Sequence, residues 1–335
     1  MKKILCFAAV IICFSSCKKT LLQHDIAGNT INIPADIQPV PGYTWKSMTA
    51  LSNGNTGSST LIQSGNNVYC VTSSGFAYKY NTSTKVWEAA PVQQMGHFET
   101  GQQFFFCYGG RIYFGMNKNN DSIDHRLVSQ LPEVANSYIQ HAPFPGTSVN
   151  SPTCFVIGNK GYISGGHTQS GTPVNQLWEY NFDTNVWVNK GNSPLGARAG
   201  AVVMVVGNKA YMGLGYDHIY LNTTPVKRYK KDWILYDPAS PFFVIKASFP
   251  GEARAYAKGF VLEGRPYIGF GGLVNSSAGF SDLWDYLPAT NTWVQQQSWT
   301  GTTPASCYNM NCFSLGSTGY AIRGSLIEFK RFSIL

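Results

Sequence analysis

Leu283–Trp293 reads LWDYLPATNTW: a Leu-Trp pair, an acidic residue, a Tyr, a Pro-bearing turn and a second Trp. The chain carries this pattern more than once. LWEYNFDTNVW occupies Leu177–Trp187, AYKYNTSTKVW occupies Ala77–Trp87, and a weaker copy, DWILYDPASPF, occupies Asp232–Phe242. In every copy the first aromatic (Tyr78, Trp178, Trp233, Trp284) lies nine residues before the last (Trp87, Trp187, Phe242, Trp293). A spacing kept this strictly within one chain marks an internal repeat of one supersecondary unit.

A second marker precedes each pair. A Gly/Asn turn is followed by a strand bearing Tyr: GNNVY (Tyr69), GGRIY (Tyr113), GNKGY (Tyr162), GNKAY (Tyr211), EGRPY (Tyr267) and GSTGY (Tyr320). The six copies stand 44 to 56 residues apart. Short apolar runs lie upstream of them: SSTLI, QFFFC, TCFVI, AVVMV, KGFVL and NCFSL. Each unit therefore reads as four strands: a, a turn, b with the Tyr, a loop, c with the first aromatic, a turn, and d with the last. The composition agrees. With 34 Gly, 17 Pro and 14% aromatics but only 13% charged residues in 335, the chain favours many short strands and tight turns over long helices. Its net charge of +8 is mostly spread along the chain, as on a solvated surface, and predicts no nucleic-acid partner.

Gly165-Gly166 and Gly271-Gly272 close two b strands, and each pair is followed by Leu-Trp at Leu177 and Leu283. A Gly pair, then a Tyr and a Trp at fixed offsets, resembles the kelch repeat, whose period is about 50 residues. The resemblance covers nearly all of 43–335. It is weakest in the second unit, where LVSQLPEVANSY (Leu127–Tyr138) has no Trp. It implies an all-β fold, a β-propeller of four-stranded antiparallel blades whose neighbours bury the aromatics between them. The ends set the blade count at six. The last unit supplies strand a (Asn311–Leu315), strand b (Tyr320–Arg323) and strand c (Ser325–Phe329), then stops, while Tyr43-Thr44-Trp45-Lys46 reads as a strand d without its partners. The expectation is a last blade closed by the N-terminal strand, which pairs two edges that would otherwise template aggregation.

In such a blade the a–b and c–d turns share one face, and the b–c and d–a loops share the other. Here the first set is short and uniform. The b–c loops are long and differ: Gly115–Ser122, His167–Gln176, Tyr216–Asp232 and Leu273–Asp282. Variable loops on a rigid scaffold are the usual seat of binding. Counting thirteen residues back from each strand-b Tyr gives Thr56, Thr100, Val149, Arg198, Arg254 and Cys307. The kelch resemblance implies that an Arg at this place looks toward the channel mouth, where it either braces its own loop or offers a planar fork to a carboxylate. His167, Tyr216, Tyr256 and Tyr308 share that face, so the candidate ligand-binding residues are Arg198, Arg254, His167, Tyr216, Tyr256 and Tyr308. The run Lys227-Arg228-Tyr229-Lys230-Lys231 lies in the longest b–c loop. It reads as a solvated loop or as a lure for an acidic glycan, anionic lipid head groups or an acidic partner.

Enzymatic signatures are sparse. The chain contains no HExxH, CxxC or GxSxG, and no sialidase Asp-box, so no metal or other cofactor is expected and catalytic residues are unassigned. Galactose oxidase is also a kelch-type propeller, but its paired-His copper site has no counterpart here. The sialic acid mutarotases, six-bladed kelch propellers, imply an alternative in which Arg198 and Arg254 meet a sugar carboxylate and Glu252 or Glu99 acts as acid/base. The leading expectation is non-catalytic: a monomeric binding module for a glycan or protein.

The first 17 residues read as a targeting segment. Lys2-Lys3 precede the apolar run Ile4–Phe14, which is too short to span a bilayer. Phe14-Ser15-Ser16-Cys17 resembles the lipobox of bacterial lipoproteins, with Phe14 where Leu is commoner. The resemblance implies lipid attachment at Cys17, a membrane partner and a place in the bacterial cell envelope. Residues 18–42, with Pro34, Pro39 and Pro41, read as an extended tether. Five further cysteines follow (Cys70, Cys107, Cys154, Cys307 and Cys312), mainly small buried hydrophobes, with a Cys307–Cys312 bridge left open.

Overall fold

Each Gly/Asn turn marked in the sequence joins two antiparallel strands. Gly158 and Gly207 sit at φ of 59° and 58°, the left-handed conformation that a two-residue hairpin turn demands and that glycine adopts without steric cost. The structure is a computed structural model. It describes residues 22–24, 30–32, 43–49, 59–72, 76–94, 104–119, 122–131, 134, 137–240, 242–274, 276, 279–300, 310–323 and 328–334. The chain divides into two units, Met1–Pro41 and Gly42–Leu335. In the first, Leu22–His24 pairs antiparallel with Thr30–Asn32. The expected targeting segment and lipobox Cys17 lie outside the described residues, as does most of the expected tether.

The second unit is all-β, a six-bladed propeller. Blade 1 comprises Ser59–Ser64, Asn67–Thr72, Phe76–Asn81 and Val86–Gln94; blade 2, Phe104–Tyr108, Arg111–Asn119, Ser122–Gln130 and Ile139–His141. Blade 3 comprises Thr153–Ile157, Lys160–Ser164, Leu177–Asn181 and Val186–Asn189; blade 4, Val202–Val206, Lys209–Gly213, Trp233–Tyr236 and Val244–Lys246. Blade 5 comprises Lys258–Leu262, Arg265–Gly269, Leu283–Leu287 and Thr292–Gln296. Blade 6 is built from Met310–Leu315, Thr318–Arg323, Glu328–Ile334 and the N-terminal strand Tyr43–Met48. Strand a of each blade touches strand a of the next, and the series closes from blade 6 to blade 1.

Closure uses the N-terminal strand as expected, with Trp45 opposite Phe332 and Tyr43 opposite Ile334. Strand c of this blade, however, is Glu328–Ile334 rather than Ser325–Phe329. The later register carries Phe332 into the core, stacked on Tyr43 with ring centroids 5.2 Å apart and 5.0 Å from Trp45.

The repeated aromatic motif is inter-blade mortar. Trp187 of blade 3 donates its indole N–H to the carbonyl of Ala142, just past strand d of blade 2, at 3.0 Å. Asn185 Oδ1 accepts the N–H of the same Ala142 at 2.8 Å. Blade 5 repeats the clamp on blade 4, with Trp293 donating to the Ala247 carbonyl and Asn291 accepting the Ala247 N–H, each at 2.8 Å. Asn185 and Asn291 hold φ of 57° and 55°, a left-handed place that Asn tolerates better than most residues. In blade 6, Trp45 donates to the carbonyl of Gln297 at 3.0 Å, just past strand d of blade 5. In blade 6 the residue before the strand-b Tyr is a glycine for a related reason. A Cβ at Gly319 would lie 2.4 Å from the ring of Phe260 in blade 5.

Two blades depart from the expected alignment. In blade 4, Trp233 lies opposite Gly213, the place that Leu177 and Leu283 take opposite Ser164 and Gly269. It therefore matches the buried Leu, not Trp178 and Trp284, and is itself fully buried. The one-residue shift moves Phe242 out of the last-aromatic position, and its side chain is 76% exposed. Identical spacing in sequence hid this, because a register change of one exchanges the two faces of a strand. In blade 2, Gly115–Ser122 is not a loop. Strands b and c run on as a long hairpin with a register shift between Asp124 and Leu127.

Candidate functional site

The d–a segments and the ends of the b strands meet at the inner rim of one face. Blades 3 to 5 show the same geometry there. Asn150, Ala199 and Ala255 form two-bond bridges with His167, Tyr216 and Gly272, at 2.7 to 3.0 Å. The next residues, Ser151, Gly200 and Tyr256, all hold left-handed φ (52°, 63° and 57°). They join blade to blade: Gly200 N–H donates to the Ser151 carbonyl at 3.2 Å, and Tyr256 N–H donates to the Gly200 carbonyl at 2.8 Å. Tyr256 then reaches back over blade 4, its hydroxyl 3.3 Å from Ser151 Oγ. A Cβ on Gly200 would press within 3.2 Å of the Tyr256 ring, so the glycine also keeps this crossing clear.

The loop holding the basic run is not irregular. Tyr216–Leu221 and Thr224–Tyr229 form a separate two-stranded hairpin rising from the b–c connection of blade 4. Its base is rooted in the mouth: Tyr216 is buried with Ala199 and Ala255, and Tyr229, Tyr256 and Val274 pack against them. Val274 N–H donates to the Tyr229 hydroxyl at 2.7 Å. Opposed pairs place Tyr216, Tyr229, His218 and Lys227 on one side of the ribbon, and Asp217 and Arg228 on the other. Asp217 gathers Arg228 and Lys230, each at 2.6 Å. Lys227 Nζ stands 5.8 Å from the Tyr216 ring centroid. Burial, then Lys227 and His167, lower the His218 pKa against the opposing pull of Asp217. His167 Nδ1 contacts the Thr168 carbonyl at 2.9 Å, which makes that nitrogen the donor.

Arg198 and Arg254 do not offer free forks. Arg254 is 0% exposed. Its guanidinium grips both oxygens of Asp282, donates to the carbonyls of Glu252 (2.8 Å) and Phe270 (3.1 Å), and stacks 4.0 Å from the Phe280 centroid. Arg198 grips Asp232 at 2.6 and 2.8 Å and donates to the Leu214 carbonyl at 3.1 Å. Each Arg thus ties the segment before strand a to the residue before strand c of its own blade. Blade 3 has Val149 and Gln176 at these two places, so the Arg and the Asp appear together and vanish together. That internal exchange was the sequence signal for Asp232 and Asp282. Tyr308, Cys307, Glu99, Thr56 and Thr100 lie outside the described residues. Sequence reading missed His218 and held Tyr229 only as part of the basic run; the period-two pattern flanking Asn222-Thr223 was their signal, but it lacks the usual Asn-Gly turn.

Away from the d–a segments, strand a of blades 1 to 3 walls a cavity of about 280 Å³, lined by Leu61, Phe105, Cys107 and Val156 among others. Burial pushes the Cys107 thiol up to about 12, so it is not a nucleophile at neutral pH. Cys107, Cys154 and Cys312 are free thiols. Among the described residues no three His, Cys, Asp or Glu side chains converge as a metal site.

No protein family matches the chain, and no curated protein does. Among solved structures, it is similar to the one titled "Structure of YjhT", with 16% identity and a TM-score of 0.53 over 67% of this chain and 72% of that one. At that identity the likeness shows the fold alone.

Proposed function

We propose that this chain is a kelch-type, lipid-anchored propeller of the bacterial envelope that binds a glycan or protein ligand on its b–c/d–a face. Tyr256 carries the proposal. The fold requires left-handed backbone at this place in three blades, and blade 4 meets the requirement with Gly200. Blade 5 instead holds a Tyr there at a steric cost, with its ring laid across the mouth beside Tyr216 and Tyr229. Tyr rings with reachable hydroxyls stack on sugar faces and anchor peptides. Arg198 and Arg254 hold the rim in shape, and His167, His218 and Lys227 supply polar and cationic contacts.

The test is a glycan array and a pull-down with the purified chain, followed by titration of any hit against Tyr256→Gly. Loss of affinity in a variant that melts normally supports the reading. Unchanged affinity rejects this mouth as the site. The mutarotase alternative is separated by following sialic acid anomer exchange: catalysis by the wild type that survives in Tyr256→Gly would point to a second site and against a binding module.

A further inference from the structure

The hairpin of blade 4 is longer than the mouth needs. Tyr216 and Tyr229 root it, but beyond them the ribbon continues to a tip where Tyr220 and Leu221 are 63% and 58% exposed and Val226 is 38% exposed. Pro225, opposite Tyr220, is exposed as well. Asn222 and Thr223 turn the chain at φ of 48° and 70°, so the tip is a tight two-residue turn with a defined shape. An apolar tip of this kind on a ribbon is costly in water unless something covers it.

What covers it is indicated by the charge behind it. Tyr216–Lys231 carries Lys227, Arg228, Lys230 and Lys231 against one carboxylate, Asp217, a net charge of +3. Lys227 pairs across the ribbon with His218, three residues behind Leu221. At about 3.4 Å per residue, the first cation sits roughly 10 Å behind the tip. The polar layer of a bilayer leaflet is roughly 5–8 Å thick outside the hydrocarbon core. A tip sunk just into the acyl boundary therefore holds Lys227 and its neighbours at the level of the head groups, and Tyr220 suits the interface itself. An acidic protein would meet the charge but has no need of a protruding apolar tip.

We infer that the hairpin is a membrane-docking arm, in which Tyr220, Leu221 and Val226 enter the surface of an anionic lipid bilayer and Lys227 and Arg228 contact its head groups. The inference does not depend on the ligand proposed at the mouth, nor on acylation of Cys17.

The test uses the full chain with an environment-sensitive fluorophore on Leu221→Cys, and a control on Ala239→Cys in the c–d turn of the same blade. The probes are vesicles of equal phosphatidylglycerol and phosphatidylcholine, and vesicles of phosphatidylcholine alone. Docking predicts a blue shift and protection from an aqueous quencher at position 221, absent at 239. The effect should be stronger in anionic vesicles and weaken in 0.5 M salt. Neutralising Lys227 (Lys227→Gln) should reduce the anionic-vesicle affinity read at position 221 by about fivefold. No shift at 221 with anionic vesicles overturns the inference, as does an equal shift at both positions. A shift at 221 caused by a soluble acidic polysaccharide or acidic peptide, but not by vesicles, also overturns it and returns the arm to the ligand site. Because each labelled chain replaces only one exposed residue, the overturning outcomes do not depend on whether the Lys227 variant folds.

Discussion

Trp293 in blade 5 donates its indole N–H to the carbonyl of Ala247 in blade 4 at 2.8 Å, and Asn291, two residues earlier, accepts the N–H of that same alanine. One residue of the neighbouring blade is thus held at both its backbone polar groups. The indole also packs edge-on against Phe249, with centroids 5.3 Å apart. Trp293→Phe keeps most of the packing and loses the bond, so urea denaturation should show a loss of about 1 kcal/mol, and Trp293→Ala about 3–5 kcal/mol. Equal losses in the two variants would show that the bond and the packing are not separable in this way.

The closing strand predicts an all-or-none effect. Trp45 packs against Phe260, Phe270, Trp299 and Phe332, so removing Tyr43–Met48 strips the last blade of its fourth strand and its core. A chain beginning at Asn53 should fail to fold as a monomer, which size-exclusion chromatography and thermal melting will show. Melting like that of the parent chain would mean that the ring closes without this strand.

Arg254 is buried against the partly exposed Asp282, and removing the carboxylate leaves an uncompensated buried charge. Arg254→Ala or Asp282→Asn should cost about 3–5 kcal/mol of stability. A ligand-contacting fork would instead lose affinity at little cost in stability, so denaturation and binding curves together separate bracing from contact.

At Tyr256 the balance is reversed. Left-handed backbone strains any side chain with a Cβ, so Tyr256→Gly relieves about 1 kcal/mol while removing the ring from the mouth. The variant should melt at or above the parent temperature after losing the packing of a half-exposed ring, yet bind its ligand more weakly. A melting point lowered by many degrees would show that the ring is chiefly structural.

Asp285 introduces a pH dependence. Burial raises its carboxyl to about 6, with Arg265 3.0 Å away and Tyr267 opposing the shift. The folded state therefore favours the protonated acid. That contribution is fully present below about pH 4 and is lost as pH rises through about 6, on the order of 3 kcal/mol in all. Asp285→Asn should flatten this part of the stability profile between pH 4 and 7. Glu179 occupies the matching place in blade 3 with the opposite sign: burial raises it, but Lys160 at 2.6 Å and the Tyr162 hydroxyl at 3.0 Å hold it low. Its contribution is present above the ordinary carboxylate range and lost in more acidic solution. A profile in Asp285→Asn as steep as that of the parent would exclude Asp285 as its source.

Repetition made the architecture legible without coordinates. The strand order within a blade, the number of blades, the closing role of Tyr43–Met48 and the mortar role of Trp187 and Trp293 all follow from spacing, because a four-stranded unit with two apolar faces can bury them only against copies of itself. Spacing carries no information about register. Trp233 and Phe242 keep the nine-residue interval yet sit one residue out of phase, and only the pairing of Trp233 with Gly213 shows it. Nor does spacing say where a charge is satisfied. Arg198 and Arg254 could be read as loop braces or as open forks until tertiary structure placed Asp232 and Asp282 against them. The crossing of Tyr256 to Ser151 joins residues 105 apart in the chain, and the hairpin at Tyr216–Tyr229 replaces an apparent loop. Local sequence determined the blade, since its period and turns are local. Tertiary structure alone decided the mouth, since its contacts join blades that are distant in the chain.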